Sequence, residues 1–121
     1  MGRIWIVCGA VAGLLAVAMA AYAAHGLPGR IDAQALAQVD RAIQMQGWHA
    51  LALVATGIWA PRGGRLAQWA GVAFALGLLG FCGGVYALAL GGVRLASVAP
   101  AGGMLLMAGW ALLGASAVVS R

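Results

Sequence analysis

The chain has 121 residues, of which 64% are apolar and only 7% charged, and its mean hydropathy is +0.99. A water-soluble domain carries about a quarter charged residues, so this composition excludes a soluble globular fold and places the chain in a bilayer. The net charge of +5 comes from arginines that stand singly or in pairs between apolar runs, a spacing that suits anionic lipid headgroups and excludes the clustered basic face of a nucleic-acid-binding protein.

Four apolar segments follow one another, at residues 4–24, 46–60, 66–90 and 98–119. A membrane span needs about 20 mostly apolar residues, which the first, third and fourth supply outright. The first, with Arg3 before it and Ala18-Met19-Ala20 within it, has some features of a secretion signal. Its apolar run exceeds the roughly 7 to 15 residues of a signal core, so it is expected to stay as a span. The second segment is short and needs help from the preceding stretch IDAQALAQVDRAIQ. There Asp32 stands as a helix N-cap, with Ile31 and Leu36 at the positions of a hydrophobic staple. Leu36, Val39 and Ile43 form an apolar stripe opposite Gln34, Gln38 and Arg41. Residues 32–45 are therefore expected to form an amphipathic helix at the membrane interface, turning into the second span near Gly47; one long tilted helix is the other solution. In PRGGR (61–65), Pro61 is expected to end a helix and Gly63-Gly64 to supply a flexible turn. In GGVRLASVAP the third span ends, and Pro100 falls in the first turn of the fourth helix.

With four spans, Arg3, Arg62, Arg65 and Arg121 share one side and Arg30, Arg41 and Arg94 the other, which favours cytoplasmic termini. Trp5, Trp59 and Trp69 fall near the cytoplasmic ends, as an interfacial aromatic belt would. Twenty glycines suit a helical membrane protein whose backbones approach closely. Gly9-x-x-x-Gly13 and Gly80-x-x-x-Gly84, the latter extended by Gly77, are small-residue faces for packing within the chain or against a second copy. Cys8 and Cys82 lie at roughly 6 and 24 Å from the inner side, too far apart in depth for a disulfide, and read as packing residues.

The same ruler places His25 roughly 31 Å along the first helix, at the outer interface, and His49 roughly 16 Å from the inner end of the second. An ionisable residue at that depth must face protein and find a partner. Tyr22, His25, Gln46, His49, Tyr86 and Arg94 are expected to converge at the outer mouth of the bundle. They support a hydrogen-bonded structural clasp, a binding or translocation site for a proton, ion or small polar ligand, or a two-histidine haem site. No carboxylate pair and no nucleophile with a base lies at that depth, and two histidines are too few for zinc.

The runs AAYAAHGL, Gln46 with WHALAL, GFCGGVYALALGG and VAPAGGMLLMAGWALL resemble, in order and over nearly the whole chain, small bacterial membrane proteins of unknown function related to transmembrane protein 256. On that resemblance the family's motif positions are His25, Gly26 and Leu27; Gln46, His49, Ala50 and Leu51; and Pro100, Gly102, Gly103, Gly109 and Trp110. Trp48 stands where the family usually has tyrosine, Met45 where another aromatic is common, and Ala99 where threonine is usual. The resemblance implies a four-helix inner-membrane protein and brings no activity, substrate or cofactor.

Together these readings predict one all-α integral membrane domain over residues 1–121, a four-helix bundle with an amphipathic interfacial helix between spans one and two. It is expected in the bacterial inner membrane as a non-enzymatic structural or accessory component with no cofactor. Its expected partners are membrane lipids, a second copy of itself or a larger membrane complex. The alternatives are a small transporter or ion-binding protein and a haem-binding electron carrier.

Overall fold

The apolar run that follows Arg3 contains no proline and no charge before its end, and in the computed structural model it forms one uninterrupted helix, α1 (Arg3–His25). The structure describes residues 2–94 and 97–119; among these are two further helices, α2 (Ala33–Gly91) and α3 (Val98–Val119), and no strand. Each of the three carries a window long and apolar enough to cross a membrane. The all-α expectation holds, but the predicted count of four helices becomes three.

The difference lies at PRGGR. Pro61 does not end a helix: the helical backbone runs through it and departs only at Gly64, with φ 64° and ψ −145°. That combination is open in practice only to glycine, since any Cβ would clash with the neighbouring peptide. The chain reverses there. Tyr86 Oη donates to Gln46 Oε1 at 2.8 Å and Cys82 Sγ to the Ala42 carbonyl at 3.5 Å, so residues 33–63 and 65–91 are antiparallel arms of a hairpin. At the far end of the second arm Gly92 adopts φ 66°, which lets the N–H groups of Gly92 and Val93 turn back onto the carbonyls of Ala87 and Leu88.

The predicted interfacial helix is likewise absent as a separate element. Asp32 caps α2 as expected, its carboxylate accepting from Ala35 N–H at 2.7 Å, but residues 32–45 then continue into the first arm without a break. Their apolar stripe is covered by protein rather than by lipid. Val39 and Ala42 are fully buried, and Leu36 and Ile43 pack on a cluster that includes Ala23, Leu27 and Ala89. A turn over residues 27–30, closed by Arg30 N–H on the Leu27 carbonyl at 2.8 Å, brings α1 and this segment together.

α1 and α3 flank the hairpin and, among the described residues, touch only its arms and not each other. Glycine makes both contacts possible. A Cβ on Gly9 would lie 2.6 Å from the Ala50 carbonyl, and one on Gly2 would collide with the carbonyl of Gly57. Pro61 has no N–H to give that Gly57 carbonyl, its usual helical partner. The oxygen instead lies against Gly2, where an added Cβ would meet it. On the other flank, Gly77, Gly80 and Gly84 receive Gly102, Val98 and Ala99 of α3, and a Cβ on Gly102 would run into the backbone of Phe81. The glycine faces recognised in the sequence are thus used inside one chain. Large apolar side chains point the other way, with Leu79 73% and Val118 84% exposed, as a lipid-facing surface requires.

Two outcomes follow for thermal unfolding in detergent. Gly102→Val is expected to lower stability by about 2 kcal/mol or more, through overpacking against backbone that has no rotamer to yield, whereas Gly83→Ala on the facing arm of α2, where an added Cβ meets nothing within 4 Å, leaves it near the parent value. Gly64→Ala is expected to cost about 1–3 kcal/mol because alanine must occupy that backbone state, although the space beside it is empty.

Candidate functional site

Polar side chains inside a bilayer must satisfy one another, because no water is present to do so. The helical period puts Gln46 and His49 on the buried side of the first arm, 8% and 4% exposed, but turned toward different neighbours. Gln46 faces α1 and the second arm. Its Nε2 donates to the Ala12 carbonyl at 2.8 Å, while its Oε1 accepts from Tyr86. One amide thereby ties three segments together.

His49 faces α3. Its Nδ1 lies 2.6 Å from the Met45 carbonyl, which can only accept, so Nδ1 carries the proton. Its Nε2 then accepts from Trp110 Nε1 at 3.0 Å. Both ring nitrogens are engaged in the neutral tautomer. The ring also packs against two aromatics, with centroids 5.9 Å from Phe74 and 5.8 Å from Trp110, and those two meet at 5.2 Å with a 77° interplanar angle. Such tilted and edge-on contacts are worth about 0.5–1.5 kcal/mol each beyond burial. Gly109 lets Phe74 reach this position, since a Cβ there would sit 2.6 Å from its ring.

The six residues expected to converge therefore divide. Gln46 and Tyr86 are bonded, and Tyr22 faces them across a cavity of about 350 Å³ that is also lined by Leu15, Ala18 and Met19. Tyr22 is half exposed and lies under Gly26, where an added Cβ would meet its ring. His49 stands apart with Trp110. His25 is exposed at the end of α1, and the two histidines do not form the joint site that haem ligation needs. Arg94 lines a separate cavity with Gln38, Arg41 and Pro100.

Depth alone did not identify Trp110, Phe74 or the carbonyls of Ala12 and Met45 as partners. Trp110 was within reach of the ruler, since it stands roughly 14 Å from the end of α3, close to the depth of His49. Two more indole bonds carry no signal in the spacing of the sequence: Trp5 Nε1 donates to Gln68 Oε1 at 2.8 Å, and Trp59 Nε1 to Ser116 Oγ at 2.9 Å. Both lie toward the Gly64 end and join α1 and α3 to the hairpin. Among the described residues, the buried polar atom left without a partner is Gln68 Nε2. Cys8 and Cys82 are free thiols that line one groove of about 450 Å³ between α1 and the second arm, with Gln46 and Tyr86 at its polar end.

Apolar exteriors, internally satisfied polar groups and glycine-mediated contacts together define a small polytopic helical membrane protein with a packed interior. The family model described as a protein of unknown function (DUF423) matches residues 19–103, and the chain belongs to that family. It is 33% identical over 112 residues to a UPF0382 membrane protein of Staphylococcus haemolyticus, covering 92% of each chain. To the UPF0382 inner membrane protein YgdD of Escherichia coli K12 it is 34% identical over 115 residues, covering 92% of this chain and 86% of the relative. A UPF0382 membrane protein of Haemophilus influenzae is 34% identical over 102 residues, 84% of this chain and 82% of its own. No solved structure matches. The resemblance seen in the motifs thus holds at the level of a small bacterial membrane-protein family whose function is unknown.

The His49–Trp110 bond can be measured directly. Trp110→Phe removes the donor and is expected to cost about 1 kcal/mol, and a double-mutant cycle with His49→Phe should return a coupling of about 0.6–1.7 kcal/mol. Additive losses would mean that the two rings act independently.

Proposed function

We propose that the protein is a non-enzymatic component of the bacterial inner membrane whose buried polar groups act as a clasp, holding its helices in one arrangement. The observation that carries this reading is the saturation of His49: both ring nitrogens are used inside the protein, leaving none for a proton relay or a ligand. Gln46 is engaged in the same way at both ends of its amide. The name of the Escherichia coli relative, an inner membrane protein, supports the location.

In this reading the chain crosses the membrane four times, through α1, each arm of α2, and α3. The arms are roughly 46 and 40 Å long, each more than the 30 Å or so of a hydrocarbon core. The first arm projects beyond it by the stretch that carries Asp40 and Arg41. The arginine imbalance favours both termini in the cytoplasm. Fusions check this: a C-terminal green fluorescent protein is expected to fluoresce and a C-terminal alkaline phosphatase to be inactive, and the opposite pattern would reverse the orientation.

The clasp itself is tested with His49→Ala, which is expected to lower stability in detergent by about 2–4 kcal/mol through loss of two hydrogen bonds and a packed ring. A variant as stable as the parent that nevertheless loses a cellular phenotype would sink the proposal in favour of a ligand or transport role.

A further inference from the structure

At the end of the bundle opposite Gly64, a cavity of about 490 Å³ opens between the two arms of α2 and the start of α3. Its wall is apolar, formed by Phe81, Val85, Leu88 and Pro100, and its rim carries Gln38, Arg41 and Arg94. Arg41 stands roughly 33 Å along the first arm from Gly63, about the thickness of a hydrocarbon core, which sets the rim at headgroup level. Arg94 reaches the same rim from the linker between α2 and α3.

Two guanidinium groups facing one cavity repel each other unless an anion lies between them. None of the described residues supplies one. Neither Arg41 nor Arg94 has an ion-pair or hydrogen-bond partner among the described residues, and neither Asp32 nor Asp40 lines the cavity. Asp32 is already engaged as the cap of α2. Guanidinium geometry favours bidentate pairing with phosphate or carboxylate oxygens, and the uncharged Gln38 amide adds a donor beside them.

We infer that this cavity is a binding site for the headgroup of an anionic phospholipid, with the phosphate held by Arg41 and Arg94 and the first part of an acyl chain lying along Phe81, Val85 and Leu88. The combination selects a lipid over a soluble anion. A free phosphate would use the rim and leave the apolar wall bare, whereas a phospholipid covers both and is present wherever the protein is. The site is separate from the His49 clasp, and its test does not depend on that reading.

The full chain, purified in a non-ionic detergent, is titrated with phosphatidylglycerol, with phosphatidylcholine carrying the same acyl chains, and with inorganic phosphate. Binding is read by native mass spectrometry and by the shift in unfolding temperature. Phosphatidylglycerol is expected to bind and stabilise well above phosphatidylcholine. Arg41→Gln and Arg94→Gln should each weaken it about fivefold and together about 25-fold, whereas Arg30→Gln, an exposed arginine away from the cavity, leaves it unchanged. The double Arg→Lys variant keeps the charge but not the bidentate geometry and should bind between the parent and the double glutamine variant, which ties that share of the loss to charge rather than to folding. Unchanged phosphatidylglycerol binding by the double glutamine variant would overturn the assignment. So would stabilisation of the parent by inorganic phosphate equal to that by the lipid, since the cavity would then be taking a free anion.

Discussion

The close approach of backbones at glycine is the contact on which the rest of this structure depends. Helices already surrounded by lipid tails gain little by burying apolar side chains, so association must come from van der Waals packing and interhelical hydrogen bonds. Both fall off steeply with separation. Gly2 against Gly57, Gly9 against Ala50 and Gly102 against Phe81 bring neighbouring backbones to distances that a single methyl would forbid. At that separation the longer polar side chains reach across. Gln46 can bond a carbonyl of α1 because Gly9, one turn before that carbonyl, has no side chain to hold the helices apart.

The hydrogen bonds in turn give the packing its direction. Small-residue faces are permissive, since one stripe of glycine and alanine slides against another with little change in energy. A bond between named atoms removes that freedom. Tyr86 to Gln46 sets the register of the two arms, Trp110 to His49 that of α3 on the first arm, and Trp5 to Gln68 that of α1 on the second. Histidine suits such a position because its neutral ring presents one donor and one acceptor on opposite edges, so it bridges a carbonyl of its own helix and an indole of the next.

How much of this could be read from the sequence depended on whether a feature is local. The cap at Asp32, the placement of Pro100, the glycine faces and the membrane itself are consequences of composition and short-range spacing, and all appear as expected. Residues 32–45 show the limit. Their amphipathic stripe is plain in the sequence, but a stripe states only that one face is covered, and here the cover is Ala23, Leu27 and Ala89 rather than lipid. In PRGGR the expected glycine turn appears at Gly64 but the proline stop does not, for a related reason: proline disfavours helix without forbidding it, and the Gly57 carbonyl deprived of its N–H lies against Gly2, a residue 55 positions away in the chain. For the polar cluster the sequence carries depth, which is one coordinate of three. Gln46 and His49 are one turn apart at nearly the same depth, yet they look toward α1 and α3 respectively.

The two ends of the molecule also differ in kind. Toward Gly64, indole bonds from Trp5 and Trp59 and the Gly2–Gly57 crossing close the bundle, with Thr56 turned back onto the Ala52 carbonyl of its own helix. Toward the opposite end α1 and the two arms still pack around Leu27 and Val39, and the cavities that reach Tyr22, Tyr86 and Arg94 open beside that cluster. A conduit through the membrane needs polar groups continuing from one face to the other with capacity to spare. Here nearly all the polar groups are consumed in pairs: the closed half offers Thr56 and Ser116, each fully buried and already bonded to a carbonyl of its own helix, and Gln68, whose Oε1 is taken by Trp5 and whose Nε2 alone among the described buried side-chain atoms is unpartnered. The open half faces lipid through apolar walls and arginines. That asymmetry suits a protein that meets the bilayer at one surface and is locked shut at the other.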